Sequence, residues 1–226
     1  LTDNTSWLAC TGSSCTASGT AAPTSSVTFQ ASTGVNGNIS VAYLTSQTVN
    51  PGNYGTVNLA SESTLNFSTN AGVFKMGAVT TSYKSVMSFV PGDYWINGNL
   101  TLADSTVLKR ANASGSVRIF VNGNITLGYK ITTDGFTPEQ LLIVATGSIS
   151  QGATNNQDHV ISGFIYAGGN VSLGFNSTIN GAVSGANFTG TGDQVKVNYS
   201  SASLAALGTK FSFEPFCSVG TTAPPV

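Results

Sequence analysis

Charge is the scarcest property of this chain: Lys, Arg, Asp and Glu together make up 8% of its 226 residues, where an ordinary soluble domain carries about a quarter. The eight basic residues are scattered, only Lys109 and Arg110 being adjacent, and the formal net charge is −1. A phosphate backbone asks for a basic stripe, so the composition argues against a nucleic-acid partner. The longest unbroken apolar run is Leu141 to Ala145, far short of the roughly 20 residues that cross a bilayer as a helix, which argues against a membrane-embedded chain. Histidine occurs once, at His159. Cysteine occurs three times. Cys10 and Cys15, in "CTGSSC", have the spacing of a small disulfide loop, and Cys217 lies near the other end. Either the near pair bonds or Cys217 reaches back to the N-terminal segment, and both arrangements imply an oxidising compartment. Two cysteines with no further ligand nearby do not make a zinc site.

What the chain has in abundance is Gly, Asn, Ser and Thr around a recurring octet. "INGNLTLA" (Ile96 to Ala103), "VNGNITLG" (Val121 to Gly128) and "AGGNVSLG" (Ala167 to Gly174) are near copies, and "GSISQ" and "ANFTG" continue the series. Anchored on the central apolar residue, the copies fall at Leu100, Ile125, Ile149, Val171 and Phe188. An earlier copy, "VNGNISV", carries Ile39 in the same place and is followed by a less regular stretch. A second recurring turn, "PGNY" at Pro51 to Tyr54 and "PGDY" at Pro91 to Tyr94, accompanies it. A fixed period of a few tens of residues is the mark of a solenoid.

Within each octet apolar and polar residues alternate, the period of a half-buried strand, and glycines bracket it. A coil of 22 to 25 residues holds two or three short strands, so the expected fold is all-β, a parallel β-helix, right-handed, over residues 31–200. Stacking then places Leu100, Ile125, Ile149, Val171 and Phe188 in one inward column. Outside it stand two polar ladders: Thr101, Thr126, Ser150, Ser172 and Thr189, beside Asn99, Asn124, Ser148, Asn170 and Asn187. The segments 117–121, 140–145, 163–167 and 179–185 supply the other sides. Residues 1–30 form an irregular N-terminal segment. "SASLAALGTKF", Ser201 to Phe211, is expected to form a short capping helix, and "TTAPPV" ends residues 201–226 as a Pro-rich linker to a further domain. A β-sandwich is the rival architecture, but sandwich strands seldom repeat one octet.

Catalytic chemistry is hard to assemble. The acidic residues Asp93, Asp104, Asp134, Glu139, Asp158, Asp193 and Glu214 read as turn-forming and solvating carboxylates, and no paired carboxylates emerge for a polysaccharide lyase or hydrolase. His159 reads as a lone surface residue, with Asp158 before it on the opposite side of the strand. Asp158 with Asn155 and Asn156 offers the clustered oxygens that calcium takes, although no acidic motif repeats with it. Apart from this, no cofactor is implied. The N-x-S/T triplets at Asn38, Asn99, Asn112, Asn124, Asn170 and Asn176 are largely a by-product of the repeat. Trp7, Trp95, Tyr43, Tyr54, Tyr83, Tyr94, Tyr129 and Tyr166 suit stacking on sugar rings where exposed, though strand positions favour packing for most of them. The candidate binding residues are therefore the outer polar ladder: Asn99, Thr101, Asn124, Thr126, Ser150, Asn170, Ser172 and Thr189.

The run "PGDYWINGNLTLADSTV … GSVRIFVNGNITLG … EQLLIVATGSIS … GFIYAGGNVSLGFNSTINGAVSG" resembles the repeat region of MshQ-type proteins of the mannose-sensitive haemagglutinin (MSHA) type IV pilus system. The likeness covers about Pro91 to Ser200. It implies a non-enzymatic protein, secreted or on the surface of a Gram-negative bacterium, that works as an adhesin beside other pilus components and is a piece of a longer chain. The partners expected are a surface glycan or a host or abiotic surface. The alternatives are a structural β-helix scaffold or stalk, polymerising or displaying other domains, and, third, an ice-binding or polysaccharide-active β-helix.

Overall fold

The computed structural model describes residues 29–111, 114–151, 158–191, 195–200 and 202–203. These residues form a parallel β-solenoid of about seven turns, almost wholly strand. Each turn, or rung, runs through three faces. Face A is an eight-stranded parallel sheet made of Ile39–Val41, Val57–Leu59, Val79–Thr80, Leu100–Leu102, Ile125–Leu127, Ile149–Gln151, Val171–Gly174 and Phe188–Thr191. Face B follows in each rung, as Ser46–Val49, Thr64–Phe67, Val86–Phe89, Val107–Arg110 and Thr132–Asp134. Face C comprises Gly52–Asn53, Phe74–Met76, Gly92–Ile96, Val117–Val121 and Leu141–Ala145. In the last rungs faces B and C fuse into the long strands Val160–Ala167 and Thr178–Ser184, and Lys196–Tyr199 adds a final face B strand. This fusion is how the shortened C-terminal repeats close without a separate third strand.

The octets stack in register. Leu100 pairs with Ile125, Ile125 with Ile149, Ile149 with Val171 and Val171 with Phe188. The series continues into the first third of the chain, where Ile39 pairs with Val57, Val57 with Val79 and Val79 with Leu100. That part is as regular as the rest. Its period was hidden because "GTVNL" and "GAVTT" carry Thr56 and Ala78 at the position that holds asparagine, or Ser148, in the other copies. Alternation sends these apolar residues inward to a single core shared by the three faces, which removes their surface from water.

Near the N-terminal end that core turns aromatic. Phe67, Phe74, Phe89 and Tyr94 pack with ring centroids 4.8 to 5.1 Å apart, in stacked and edge-on pairs. The "PGxY" turn feeds this cluster. The Tyr94 hydroxyl donates to the Val90 carbonyl at 2.7 Å, and in the earlier copy the Tyr54 hydroxyl donates to the Asn50 carbonyl at 2.7 Å. Each phenol therefore clamps the residue that precedes its Pro-Gly pair. Burial of the Tyr94 ring raises its pKa well above the usual phenol value.

The proposed helix Ser201–Phe211 lies outside the described residues except for Ala202 and Ser203, and Cys10, Cys15 and Cys217 lie outside them entirely. None of the helices among the described residues is long and apolar enough to cross a membrane.

Candidate functional site: face A and its corner

Face A carries the expected ladders, and its hydrogen bonds explain why the chain repeats Gly-Asn. The Asn99 side-chain oxygen accepts the backbone N–H of Asn124 at 2.9 Å, and Asn124 accepts the N–H of Ser148 at 2.8 Å. Ser148 Oγ accepts the N–H of Asn170 at 3.1 Å, and one rung series lower Asn38 accepts the N–H of Thr56 at 2.9 Å. Each of these side chains thus lies against the rung that follows. A glycine there makes room: a Cβ on Gly55, Gly147 or Gly169 would collide with Asn38, Asn124 or Ser148 respectively. The asparagines act first as mortar between coils. Replacing Asn124 by Ala is accordingly expected to lower stability by about 1 kcal/mol, the worth of one exchanged hydrogen bond, read as a lower urea midpoint with an unchanged slope.

The second ladder makes no such bond among the described residues. Thr101, Thr126, Ser150, Ser172 and Thr189 pair in sequence across five rungs. Ser40, Asn58 and Thr80 extend the same outward column toward the N-terminus. The site residues expected from sequence are therefore brought together on one face, in one register, with hydroxyl groups repeating at the ~4.8 Å strand spacing.

The corner from face A to face B was not legible beforehand, and it borders that column. Each rung turns there through a four-residue bend such as Ala42–Thr45, Ala60–Ser63, Ser82–Ser85 and Ala103–Thr106. In each the backbone N–H of the fourth residue donates to the carbonyl of the first, and its hydroxyl donates to the same carbonyl at 2.6 to 2.8 Å. The third residue takes a positive φ in rung after rung: Leu44, Glu62, Lys84, Ser105, Lys130, Asp158 and Asn176, at 43 to 61°. These are costly conformations for residues with a Cβ, and at Leu44, Glu62, Lys84 and Ser105 the doubled hydrogen bond of the Ser or Thr that follows holds them.

The second residue of the bend points outward, and on alternate rungs it is aromatic: Tyr43, Tyr83, Tyr129 and Phe175. Tyr43 is 59% exposed and Tyr83 47%; Tyr129 and Phe175 are half-buried. Two rungs separate successive rings, roughly 10 Å at the ~4.8 Å spacing between strands. Lys84 Nζ lies 5.0 Å from the Tyr83 ring centre. The other aromatics named from sequence are placed differently, since Tyr94, Trp95 and Tyr166 are buried.

His159 belongs to this corner and corrects the surface position expected for it. It is fully buried, and its Nδ1 accepts the backbone N–H of Ile131 at 2.9 Å. It occupies the place that Ser63, Ser85, Thr106 and Ser177, also fully buried, hold in other rungs. Burial holds its pKa down at about 4, partly offset by the neighbouring Asp158 carboxylate. The proton of the neutral ring therefore sits on Nε2, for which the described residues supply no partner. Asp158 receives Asn176 Nδ2 at 3.1 Å. Asn155 and Asn156, the other oxygens of the calcium expectation, lie outside the described residues, and no cluster of three metal-ligating side chains occurs among those that are described.

Asp93 also departs from the turn-forming role read for it. It sits in the face C strand Gly92–Ile96, directly below Arg118, and Arg118 Nε donates to its carboxylate at 2.6 Å. The pair spans neighbouring rungs and is largely shielded, with side chains 20% and 13% exposed. By contrast, the Lys109–Asp134 pair is 3.9 Å apart and more than half exposed, a separation and exposure at which ion pairs add little.

The fold and this surface define a three-faced parallel β-solenoid with a hydroxyl-bearing face edged by spaced aromatics. A family model described as "Domain of unknown function (DUF7305)" matches residues 47–205, which is more than half of the chain, and the chain belongs to that family. No curated protein and no solved structure matches it.

Proposed function

We propose that the chain is an extracellular, non-enzymatic adhesion module that binds the sugar rings of a surface glycan along the edge of face A, as part of a pilus-associated protein of the kind the MshQ resemblance implies. The observation that carries the reading is the set of Tyr43, Tyr83, Tyr129 and Phe175 on alternate rungs, in line with the outward hydroxyl column. Aromatic rings offer apolar platforms with a polar rim, and the adjoining hydroxyls and amides give donors and acceptors. The scarcity of charge matches a neutral polymer better than an ionic partner. Stacked coils repeat this pairing at fixed intervals, which suits a ligand that also repeats, and weak contacts then add through multivalency.

A glycan array and pull-down on insoluble polysaccharides test the proposal. The wild-type chain is expected to bind at least one neutral glycan saturably. The Y43A/Y83A variant is expected to lose about tenfold or more in affinity, which corresponds to about 1.4 kcal/mol, while its far-ultraviolet circular dichroism stays unchanged because both rings are exposed. A blank array would reject the adhesion reading in favour of a stalk or scaffold.

A further inference from the structure

The corner between faces A and B is a hydrogen-bonded stack, and the stack fixes where its rings stand. Along it the backbone N–H of the third bend residue in one rung donates to the carbonyl of the second bend residue in the next: Leu44 to Ser61, Glu62 to Tyr83, Lys84 to Asp104 and Ser105 to Tyr129, at 2.6 to 3.4 Å. The second bend positions therefore rise one above another at the strand spacing. Tyr43, Tyr83 and Tyr129 stand on the first, third and fifth rungs, about 19 Å from first to last, and Phe175 holds the same position two rungs further on. The rungs between Tyr43 and Tyr129 carry Ser61 and Asp104 there, with much shorter side chains. Asp104 is turned along the stack, its carboxylate accepting the N–H of Tyr129 at 2.8 Å. The Tyr129 hydroxyl in turn lies 3.5 Å from the Asp158 carboxylate, so this ring leans onto the following rung. Charges of both signs accompany the row: Lys84 and Lys130 follow rings, whereas Glu62, Asp104 and Asp158 fall on the rungs between.

We propose that this row seats a single extended chain of neutral, β-1,4-linked hexopyranoses, lying parallel to the solenoid axis with one sugar to each rung and a ring under every second sugar. The proposal rests on the glycan-binding reading above and narrows it to one linkage. Two properties of such a polymer match the row. Its equatorial linkages keep it straight, and each sugar advances it by about 5 Å, close to the strand spacing. Successive sugars are also turned over by half a revolution, so one face of the pyranose returns with every second unit, as the rings do. The C–H groups of that face suit an aromatic platform, while the sugars between meet the polar Ser61 and Asp104. The exposed Lys84 beside the Tyr83 ring adds a donor for a sugar hydroxyl. An α-1,4-linked or β-1,3-linked glucan coils instead, and its sugar faces leave the line of the rings. A polyanion would meet Glu62, Asp104 and Asp158 on alternate rungs, which favours an uncharged chain. Polymers of glucose and of N-acetylglucosamine share the required geometry.

Calorimetric titration of the full chain tests the proposal, with cello- and chito-oligosaccharides of two to six units and the malto- and laminari-series in parallel. In at least one β-1,4-linked series affinity is expected to rise in steps, several-fold from two units to three and again from four to five, because only the odd unit reaches a further ring. Which of the two series binds tells glucose from N-acetylglucosamine. A smooth rise with length, or equal affinity for the malto- or laminari-series, would overturn the proposal and leave glycan binding in place. No binding in either β-1,4-linked series would also overturn it, and the glycan array then judges the broader reading separately. A second measurement moves a ring without removing one. In S61Y/Y83S the rings fall on the first, second, fifth and seventh rungs, and this variant is expected to bind the five-unit ligand about tenfold more weakly than wild type, no better than Y83S alone. Wild-type affinity in a folded S61Y/Y83S protein would reject the register.

Discussion

Replacing Gly181 by alanine is expected to destabilise the solenoid more than any other single-methyl addition, by about 4 kcal/mol, or roughly 10 to 15 °C in Tm for a domain of this size. Two causes add. Gly181 has φ 146° and the residue below it, Gly163, has φ 151°, a region that only glycine enters at low cost. The new Cβ would also run into the Gly163 carbonyl oxygen, which is backbone and cannot swing aside. Gly163 is itself tight, since a Cβ there would stand 2.7 Å from the Leu141 carbonyl oxygen. The two glycines let the strands Val160–Ala167 and Thr178–Ser184 pass from face B to face C without a break, and the neighbouring rungs fix the bend from below. Gly37 provides the control. Its φ is 76° and no atom stands near an added Cβ, so G37N is expected to cost less than about 1 kcal/mol, asparagine being tolerated in that region. Thermal denaturation of the two variants beside the wild type measures the contrast, and equal losses would refute the account.

Acidification is expected to weaken the fold by about 3 kcal/mol between pH 7 and pH 4 through His159 alone. The sign follows from where the proton binds. The buried ring has a pKa of about 4, below the ordinary value near 6.5 that it regains on unfolding. Between those two values the unfolded chain takes up the proton and the folded one does not, so the stabilisation is complete above pH 6.5 and is lost as pH falls toward 4. Protonation of Nδ1 would also sacrifice the hydrogen bond from Ile131. An H159N variant places an amide oxygen near the site of Nδ1 and removes the titration. Urea denaturation across this pH range should show a steep fall for wild type and a much shallower one for H159N; parallel slopes would show that other groups govern acid stability.

The repeat was readable because Gly-Asn marks a contact between coils, and the inward and outward columns of face A followed from alternation alone. Where the asparagine gives way, as at Thr56 and Ala78, the same strand recurs without its marker, and Val57 and Val79 passed unnoticed. The corner column left less trace. Positive φ at Leu44 or Lys84 has no residue signature when a hydroxyl bond, rather than glycine, holds the turn. His159 looked like a surface residue because residues 152–157 displace it from its place in the count. Its position, directly after the positive-φ residue of the bend, matches that of Ser63, Ser85 and Thr106, and counting from the bend instead of from the anchor would have marked it as buried. A second buried cluster on the outer side of face C, which includes Trp95, Phe120, Val144 and Tyr166, was foreshadowed by "RIF" and "LLIV", where alternation fails and apolar residues follow one another. A strand with two apolar sides is one covered on both.

The bond that each asparagine makes to the coil after it gives the solenoid a direction and a unit of growth. A coil added whole, with its Asn above one glycine and below another, finds both partners waiting, whereas a part of a coil would leave a side chain facing backbone with no space for it. Length in this molecule therefore changes in steps of about 4.8 Å, so that the protein is in effect a ruler: duplicating one coil would extend its reach by one graduation and, at every second graduation, add another ring to the row that begins with Tyr43.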